Sequence, residues 1–514
     1  MKTFKYIPAL LAILIIGSCS KDLGNYDYHD INELKILSVN SEYLMRTGID
    51  TLRIKPVINA TMDEADTGRY RYRWVLKTGS LTSDTLSRTK DLVYPVKLTP
   101  VPYDLFFRVL DKKTGVTWVA NTKIVVSTPY SRGLLVMGED ETGAAEAEML
   151  SMLSDTVHIK NILSKSGLPR LTGPISLFHT SGTDAYSKMW AMTRSGSYYL
   201  DRATMLATTG NTFSNSLYIS ESLDPATLHP ATVAPQIRTA AGAIGSTIYR
   251  AVITQGGDVF ASAPLLMSGD FYNNPVNRVA ADPQVRIPAA PYLLYPINSF
   301  STFMWYDTRN NRFLNFTSIQ IGTTSTVLTD QPADAFPWNQ PAGRTLVYAE
   351  NTRNTDGGST NGNSFAILKD ANNTHHIYKF YANGTNPAKR GAYTVKSIAT
   401  DFDKASVYAF SSNRTVVFYA VGNRLYAYDY NPGFEKIYSF PELSSDEISM
   451  LKFDTQIDFA TNSLYIGTYN AATKGTLRRY RVGTNPNVVD LELQPKSTWT
   501  GMVKIKDINW RAIN

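Results

Sequence analysis

The feature that most constrains the fold is a strand–turn–strand unit that recurs through most of the 514-residue chain. Each copy has a short apolar run rich in Tyr and Phe, a tight turn, and a second apolar run. Clear copies occupy residues 188–200, 249–261, 303–314, 416–428 and 464–482. Short runs bounded by Gly, Asn and Asp are typical of paired β-strands. The chain is therefore predicted to be all-β.

The spacing between the copies indicates how these strands assemble. Most of these copies lie about 40 to 60 residues from the next, which is the length of one blade of a β-propeller. Residues 129–514 are therefore predicted to form a β-propeller of roughly seven blades. Residues 144–153 and 224–228 look helical, and because they are short we expect them to be inserts in loops.

Residues 33–128 form a separate group of short strands ahead of the repeats. Within residues 70–76 every second side chain is aromatic or leucine, and Arg71 and Arg73 lie between them. This alternation predicts a strand with one face in a core and the other in solvent. The group closes with a predicted hairpin and has a tryptophan in its middle. These features suit an immunoglobulin-like β-sandwich without the paired cysteines of antibody domains.

The start of the chain has the pattern of a bacterial lipoprotein signal. Two lysines precede an apolar run at residues 7–16, which is too short to cross a bilayer as a helix. The run leads into Ile-Gly-Ser-Cys, which resembles the lipobox, where the cysteine thiol is acylated. We therefore expect residues 1–18 to be a signal peptide and residues 19–32 to be a tether, with acyl chains such as palmitate on Cys19.

The number of cysteines and the net charge limit where the protein is expected to be located and which classes of partner it is expected to bind. Cys19 is the single cysteine, so the chain has no internal disulfide, although export would permit one. The residues that follow it, Ser20-Lys21-Asp22, look like the surface-export signal of Bacteroidota lipoproteins; the alternative is an ordinary solvated tether. We expect an outer-membrane location facing the exterior. The formal charge is +7 but no run of five basic residues occurs, so nucleic acid is not an expected partner.

The order of these features resembles the PKD-like lipoproteins of Bacteroidota. The shared outline is signal peptide, lipobox, an acidic and aromatic tether (GNYDY at 24–28), a small sandwich, and a β-rich part opened by GLLV at 133–136. The resemblance implies a PKD-like sandwich in residues 33–128. It also implies an accessory role beside a TonB-dependent, SusC/SusD-type transporter and its lid lipoprotein. The nutrient is left open among oligosaccharide, peptide and metal chelate.

No catalytic residue, metal ligand or cofactor site is predicted. None of the six histidines forms an i, i+4 pair, and His375 and His376 would point to opposite faces of a strand. The acidic stretches at 138–141 and 401–403 are interpreted as solvated turns, although a glycosidase could use such carboxylates. The glycine-rich residues 357–363 precede no helix and no Gly-Lys-Ser/Thr, so they are interpreted as a loop and not as a phosphate site.

Binding is better supported than catalysis, because the chain has 31 Tyr and 7 Trp residues whose flat rings suit sugars or peptide side chains. Trp338 lies between prolines in a predicted loop and is the candidate ligand-binding platform. The leading hypothesis is a non-enzymatic surface lipoprotein that binds a peptide or glycan or docks onto a transporter. The alternatives are a propeller hydrolase or lyase acting on surface polymer, and a purely structural subunit.

Overall fold

The computed structural model of the chain describes residues 32–62, 68–180, 187–224, 227–234, 249–267, 269–443, 445–457 and 462–511. The chain divides into two compact units. Residues up to Met45 and Ile49–Val126 belong to the first unit, and Arg46–Gly48 and the residues from Ser127 onward belong to the second. The main division therefore lies close to the boundary expected at residues 128 and 129.

The first unit is built from antiparallel strands. A five-stranded sheet has the order β2-β9-β8-β5-β6, and two-stranded sheets pair β1 with β4 and β3 with β7. The strands are β1 (Leu34–Leu37), β2 (Glu42–Arg46), β3 (Thr51–Ile54), β4 (Val57–Ala60), β5 (Tyr70–Lys77), β6 (Ser83–Ser87), β7 (Leu92–Pro95), β8 (Pro102–Asp111) and β9 (Thr117–Ser127).

The alternation predicted in β5 is present. Trp74 is fully buried and stacks on Phe107 of the neighbouring strand, with ring centroids 4.4 Å apart, whereas the flanking Arg73 is exposed. Asp111 at the end of β8 is also buried, and its carboxylate accepts hydrogen bonds from Arg69 at 2.6 and 2.9 Å. An aromatic centre and one buried ion pair therefore organise this unit in place of a disulfide.

The second unit contains the strands of the repeats. Its described strands are β10 (Gly133–Glu139), β11 (Ala145–Met152), β12 (Thr156–Ile159), β13 (Pro174–His179), β14 (Met189–Thr193), β15 (Gly196–Leu200), β16 (Pro230–Val233), β17 (Arg250–Thr254), β18 (Val259–Ser262), β19 (Phe303–Asp307), β20 (Arg312–Phe316), β21 (Thr326–Val327), β22 (Thr345–Asn351), β23 (Ser364–Lys369), β24 (His375–Tyr381), β25 (Ala388–Thr394), β26 (Val407–Phe410), β27 (Val416–Val421), β28 (Arg424–Asp429), β29 (Lys436–Ser439), β30 (Glu447–Phe453), β31 (Ser463–Asn470), β32 (Lys474–Val482), β33 (Leu491–Met502) and β34 (Lys504–Arg511).

These strands form seven antiparallel sheets in the described ranges, which we call blades 1 to 7. Their orders are β12-β11-β10-β34, β13-β14-β15, β16-β17-β18, β19-β20-β21, β22-β23-β24-β25, β26-β27-β28-β29 and β30-β31-β32-β33. In blade 4 a segment at 289–294 bridges to β19 and takes the place of a first strand. The helices for which the structure describes every residue are α1 (Pro264–Met267) and the 3₁₀ helices Ser164–Ser166, Ser214–Ser216, Asp356–Gly358 and Phe402–Lys404.

The last strand closes the ring. β34 pairs antiparallel with β10, from Gly133 opposite Arg511 to Glu139 opposite Lys504, so the C-terminal strand completes the first sheet. Buried apolar clusters join blades 1 and 2, 2 and 3, 3 and 4, 4 and 5, 5 and 6, and 6 and 7. A further cluster joins blades 7 and 1. Each blade is therefore packed between two neighbours, and the all-β, propeller prediction is confirmed.

The helical insert expected at residues 144–153 is wrong. Those residues form β11, which pairs with β10 on one side and with β12 on the other. Alanine, glutamate and leucine favour helices, but the packing of a central blade strand overrides that weak preference. The two glutamates are buried and hold structure: Glu146 accepts from the Leu163 amide, and Glu148 lies 3.0 Å from Nε2 of His158.

None of the helices in the described ranges is long and apolar enough to span a bilayer. The second expected insert, at 224–228, includes two residues outside the described ranges, and the part that is described has no α-helix.

Candidate functional site

Strands and segments from six of the blades line a cavity of about 540 Å³ within the second unit. Its wall comes from β16 of blade 3, the segment around residue 292 of blade 4, β22 of blade 5, β26 of blade 6, β30 of blade 7, and β34 of blade 1. Because these are the edges that the blades turn towards the ring's centre, the cavity is the central channel. Its volume falls in the range of small-molecule sites.

Three tyrosines from three successive blades form an arc along the channel wall. The rings of Tyr292 and Tyr348 meet edge to face at 5.8 Å, and those of Tyr348 and Tyr408 are tilted at 5.4 Å. The Tyr292 and Tyr408 hydroxyls donate to backbone carbonyls at 3.3 and 3.1 Å. Burial raises the pKa of all three, to about 12 for Tyr408, so the arc stays neutral. The exposed parts of Tyr292 and Tyr348 offer flat, uncharged surface beside polar groups, whereas Tyr408 is 6% exposed and packs behind them in the core between blades 5 and 6.

Glu350 lies at the end of β22 and faces this cavity. One carboxylate oxygen accepts a hydrogen bond from the Tyr348 hydroxyl at 2.9 Å, and the other accepts from the backbone amide of Phe410. Burial raises the pKa of Glu350 to about 7, although these two bonds and the positive charge of Lys452 act in the opposite direction. Glu350 is therefore divided between its neutral and charged forms near neutral pH.

A second carboxylate in the wall, that of Asp507, is paired. Lys452 donates from Nζ to Oδ1 of Asp507 at 2.7 Å, and also to the Ile508 carbonyl at 2.7 Å. The other carboxylate oxygen accepts from the Asn509 amide at 2.7 Å and from the Ser176 hydroxyl. The Asp507 charge is thus matched by Lys452, and both carboxylate oxygens have internal partners.

Two further cations line the channel and differ in their surroundings. Arg353 is buried, donates from Nε to the Thr455 carbonyl at 2.6 Å, and also donates to the Asn298 side chain. Burial lowers the pKa of Arg353 to about 10, so the side chain stays charged at neutral pH. Lys506 on β34 is exposed, and no described residue forms a hydrogen bond or ion pair with its ammonium group.

The structure does not place Trp338 as a binding platform, so that prediction is wrong. Trp338 is 4% exposed, and its indole packs edge to face against Phe313, Phe336 and Phe380 in the cluster between blades 4 and 5. The Lys389 ammonium lies 5.1 Å from the ring centroid. The flanking prolines indicated an irregular segment correctly, but that segment folds inward because its aromatic residues complete the core between the blades.

The channel tyrosines were not singled out by the sequence analysis. Tyr292, Tyr348 and Tyr408 recur at about one blade length, with Tyr348 and Tyr408 on the first strands of their blades and Tyr292 on the segment that takes that place in blade 4. That recurrence was the available signal, but many other tyrosines also occupy strand positions. Cys19, the predicted lipidation site, lies outside the described residues.

The histidine pair and the acidic stretches do not form a second site. His375 is buried against Phe402, whereas Nε2 of the neighbouring His376 lies 3.1 Å from the Asp370 carboxylate. Asp401 is paired with both Lys404 and Arg424. Within the ranges that the structure describes, no group of three potential metal ligands converges.

A second cavity, of about 570 Å³, is lined by the segments that follow β18 and β20. Its rim carries Tyr218, which is 63% exposed and meets Phe271 edge to face at 5.0 Å, and Ile321, which is 84% exposed. Its charged groups, Arg278 and Glu221, bind each other at 2.7 Å. The wall of the second cavity thus lacks the unmatched charge that the channel wall has. The channel is therefore the more specific candidate site.

Comparison with known proteins gives one family match and several similar solved structures. Residues 19–173 match a protein-family model described as the PKD-like family. No curated protein matches the sequence. Among solved structures, a quinonprotein alcohol dehydrogenase-like protein from Bacteroides thetaiotaomicron is similar, with 12% identity and a TM-score of 0.39 over 92% of this chain and 97% of that one.

Two other solved structures are similar at lower scores. The extracellular domain of a putative one component system from B. thetaiotaomicron has 8% identity and a TM-score of 0.35 over 83% of this chain and 51% of that one. The WD40 domain of SCAP from fission yeast has 8% identity and a TM-score of 0.29 over 66% and 75%. The resemblance to the PKD-like family is confirmed for residues 19–173, which include the first unit and the start of the propeller.

Proposed function

We propose that the chain is a non-enzymatic, lipid-anchored surface protein whose propeller channel binds a small organic nutrient, either a peptide or a glycan. The observation that carries this proposal is the channel wall, where the arc of Tyr292, Tyr348 and Tyr408 adjoins polar and charged side chains. Flat apolar rings combined with a few oriented polar groups are typical of small-molecule sites.

The state of the two channel carboxylates favours binding over hydrolysis. A glycosidase of the common type needs one carboxyl group as the acid and a second carboxylate as nucleophile or base. Asp507 is neutralised by Lys452 and accepts hydrogen bonds at both oxygens. A carboxylate held in this way is poorly available as a nucleophile or base.

One observation favours the rival function, a hydrolase or lyase. Glu350 has a pKa of about 7 and a tyrosine hydroxyl at 2.9 Å, and a carboxyl group of that kind can serve as a general acid or base. The two functions differ in whether the ligand leaves unchanged. A binding experiment that also analyses the released compounds therefore distinguishes the two functions.

Two parts of this proposal, the lipid anchor and the transporter partner, are supported by the sequence and not by the channel. The lipobox ending at Cys19 supports acylation, and the resemblance to PKD-like lipoproteins supports an accessory role beside a TonB-dependent transporter and its lid lipoprotein. In this role the channel would hold the nutrient close to the transporter. A structural subunit without ligand affinity is the remaining alternative.

The test is titration of the full acylated protein, purified in detergent, with panels of oligosaccharides and short peptides. We expect at least one panel member to bind and to be recovered intact. Tyr348→Ala should weaken that binding, whereas Tyr218→Ala, which removes an exposed tyrosine from the second cavity, should not. Cleaved products would establish the enzyme instead, and no binding in either panel would contradict a capture function.

The partner is tested separately by affinity purification of the tagged, acylated protein from native outer membranes, followed by mass spectrometry. Recovery of a TonB-dependent transporter and its lid lipoprotein would support the uptake complex. Recovery of these proteins together with no ligand binding would favour the structural subunit. Recovery of neither would contradict the accessory role.

A further inference from the structure

We infer that the ligand of the central channel carries a carboxylate group, which is held at Lys506 under the positive field of Arg353. This inference rests on the proposed binding function and specifies its ligand chemistry. The carboxylate could belong to an acidic sugar or to the C-terminus of a short peptide, because the recognition would be the same.

The side chains that line the channel carry a net positive charge. Of its five charged side chains, Lys452 and Asp507 are paired at 2.7 Å and contribute no net charge. Arg353 and Lys506 are positive, and Glu350 is the remaining acid. The wall therefore carries a positive charge of one when Glu350 is ionised and two when it is protonated. A cleft lined by one sign of charge concentrates ligands of the opposite sign.

The two remaining cations of the channel wall differ in whether they can form a hydrogen bond to a ligand. Arg353 is held by the Thr455 carbonyl and the Asn298 side chain, so it supplies a positive charge at a fixed position, which the buried Asp454 carboxylate outside the channel wall partly offsets. Lys506 is exposed to the cavity, and its ammonium group has no hydrogen-bonding partner among the residues that the structure describes. Its long, flexible stem allows the ammonium to move onto an anion and form a charge-assisted hydrogen bond.

The tyrosine arc lies in the same cavity as Lys506. Tyr292 and Tyr348 are partly exposed and line the same cavity as Lys506, so one ligand can place an apolar face on their rings and its carboxylate on the lysine, while the buried Tyr408 supports the ring of Tyr348. A sugar ring with a carboxylate or a peptide that ends in an apolar residue meets both requirements. A neutral glycan meets only the first.

Glu350 makes this binding depend on pH. Its charge repels a bound carboxylate, and because Glu350 changes its protonation near neutral pH the repulsion should grow as the pH rises. The titratable and charged groups that line the channel with it are Tyr348 and Arg353 on its own segment, Tyr292 of blade 4, Tyr408 of blade 6, Lys452 of blade 7, and Lys506 and Asp507 of β34. Burial raises the pKa values of the three tyrosines away from neutral pH, whereas it brings the pKa of Glu350 to about 7, inside this interval.

The experiment measures Kd by calorimetry for the full acylated protein in detergent. Two matched pairs of probes are used: trigalacturonic acid with its methyl ester, and the tripeptide Ala-Ala-Tyr with its C-terminal amide. We expect at least one acid to bind about tenfold or more tightly than its neutral partner, because a hydrogen bond between charged groups is worth that much. Which pair responds identifies the source of the carboxylate.

Variants locate the interaction. Lys506→Ala should weaken the acid about tenfold and leave its neutral partner unchanged, whereas Lys506→Arg should retain most of the preference. The matched control is Lys396→Ala, since Lys396 is also an exposed lysine but lies outside the channel wall. Glu350→Gln should remove the loss of affinity for the acid that the unchanged protein shows between pH 6 and pH 8, about three- to tenfold.

The outcomes separate this inference from the proposed function. Equal binding of the acidic and neutral probes, with loss in Tyr348→Ala, would leave the channel as a binding site and overturn the carboxylate. A preference for the acid that survives Lys506→Ala would also overturn it. If no probe of either pair binds, both the inference and, together with negative panels, the capture function are contradicted.

Discussion

Glu350 allows a quantitative prediction about the stability of the propeller. Its pKa rises from 4.5 to about 7 on folding, so between these values the folded protein holds a proton that the unfolded chain has released. The free energy of unfolding must therefore fall as the pH rises through this interval. The full shift corresponds to about 3 kcal/mol, at roughly 1.4 kcal/mol for each pH unit.

The expected value is smaller than that limit. Part of the Glu350 side chain remains accessible from the channel, and solvent there weakens the effect of burial. We therefore expect a loss of about 2 kcal/mol between pH 5 and pH 8 that is caused by Glu350.

The perturbation is Glu350→Gln, which keeps the shape of the side chain and removes its titration. The amide oxygen can accept from the Phe410 amide, and the amide nitrogen can donate to the Tyr348 oxygen. At pH 8 the variant should be more stable than the unchanged protein by about 2 kcal/mol, and at pH 5 the two should be nearly equal. Urea unfolding of the purified chain at a series of pH values measures both.

A matched control is Glu442→Gln, which removes an exposed glutamate from the loop that follows blade 6 and should not alter the slope. The reasoning would be refuted if Glu350→Gln and the unchanged protein lost stability in parallel between pH 5 and pH 8. A variant that was less stable at pH 8 would show that the charged carboxylate is stabilising, against the effect of burial.

Four further predictions concern the anchor, the cores and the ring closure. Cys19→Ser should abolish labelling by radioactive palmitate and release the protein from membrane fractions; persistent labelling would exclude this cysteine as the acylation site. Trp338→Ala should destabilise the propeller by about 3–5 kcal/mol in urea unfolding, because it leaves a cavity between blades 4 and 5; a variant of unchanged stability would show that the ring is not core. Arg69 holds the pKa of Asp111 well below its usual range, so the stability from this pair is present above about pH 4 and lost as the pH falls further; Asp111→Asn should flatten the acid end of the unfolding profile of the sandwich. Removal of β34 should prevent a cooperative unfolding transition of the propeller, because β10 loses its partner and the core between blades 7 and 1 is opened; a cooperative transition in the shortened chain would refute ring closure as the source of stability.

The strands were predictable because their signal is local. Val416–Val421 and Arg424–Asp429 are apolar runs around a Gly-Asn turn, and such a turn pairs the two strands whatever the rest of the chain does. The sandwich strand Tyr70–Lys77 shows its two faces in the sequence for the same reason. Residues 144–153 were mispredicted because their helix-forming composition is local, whereas the pairing with β10 and β12 that decides their structure is not.

The site depended on contacts that no local pattern contains. Trp338 and Tyr348 are both aromatic residues in a β-rich region, and no local pattern distinguishes the one that faces the core from the one that faces the channel. Lys452 and Asp507 lie on different blades, so their pairing required the ring to close first.

The sequence by itself determined the all-β class and the sandwich followed by repeated hairpins, since each is a pattern of neighbouring residues, and it supplied the lipobox-like pattern on which the prediction for Cys19 rests. Only the tertiary structure decided that the repeats close into seven blades through β34 and that Tyr292, Tyr348, Glu350 and Lys506 meet in one channel. The physical reason is that a channel wall is made of residues far apart in sequence, and only the packing of each blade between its two neighbours brings them together.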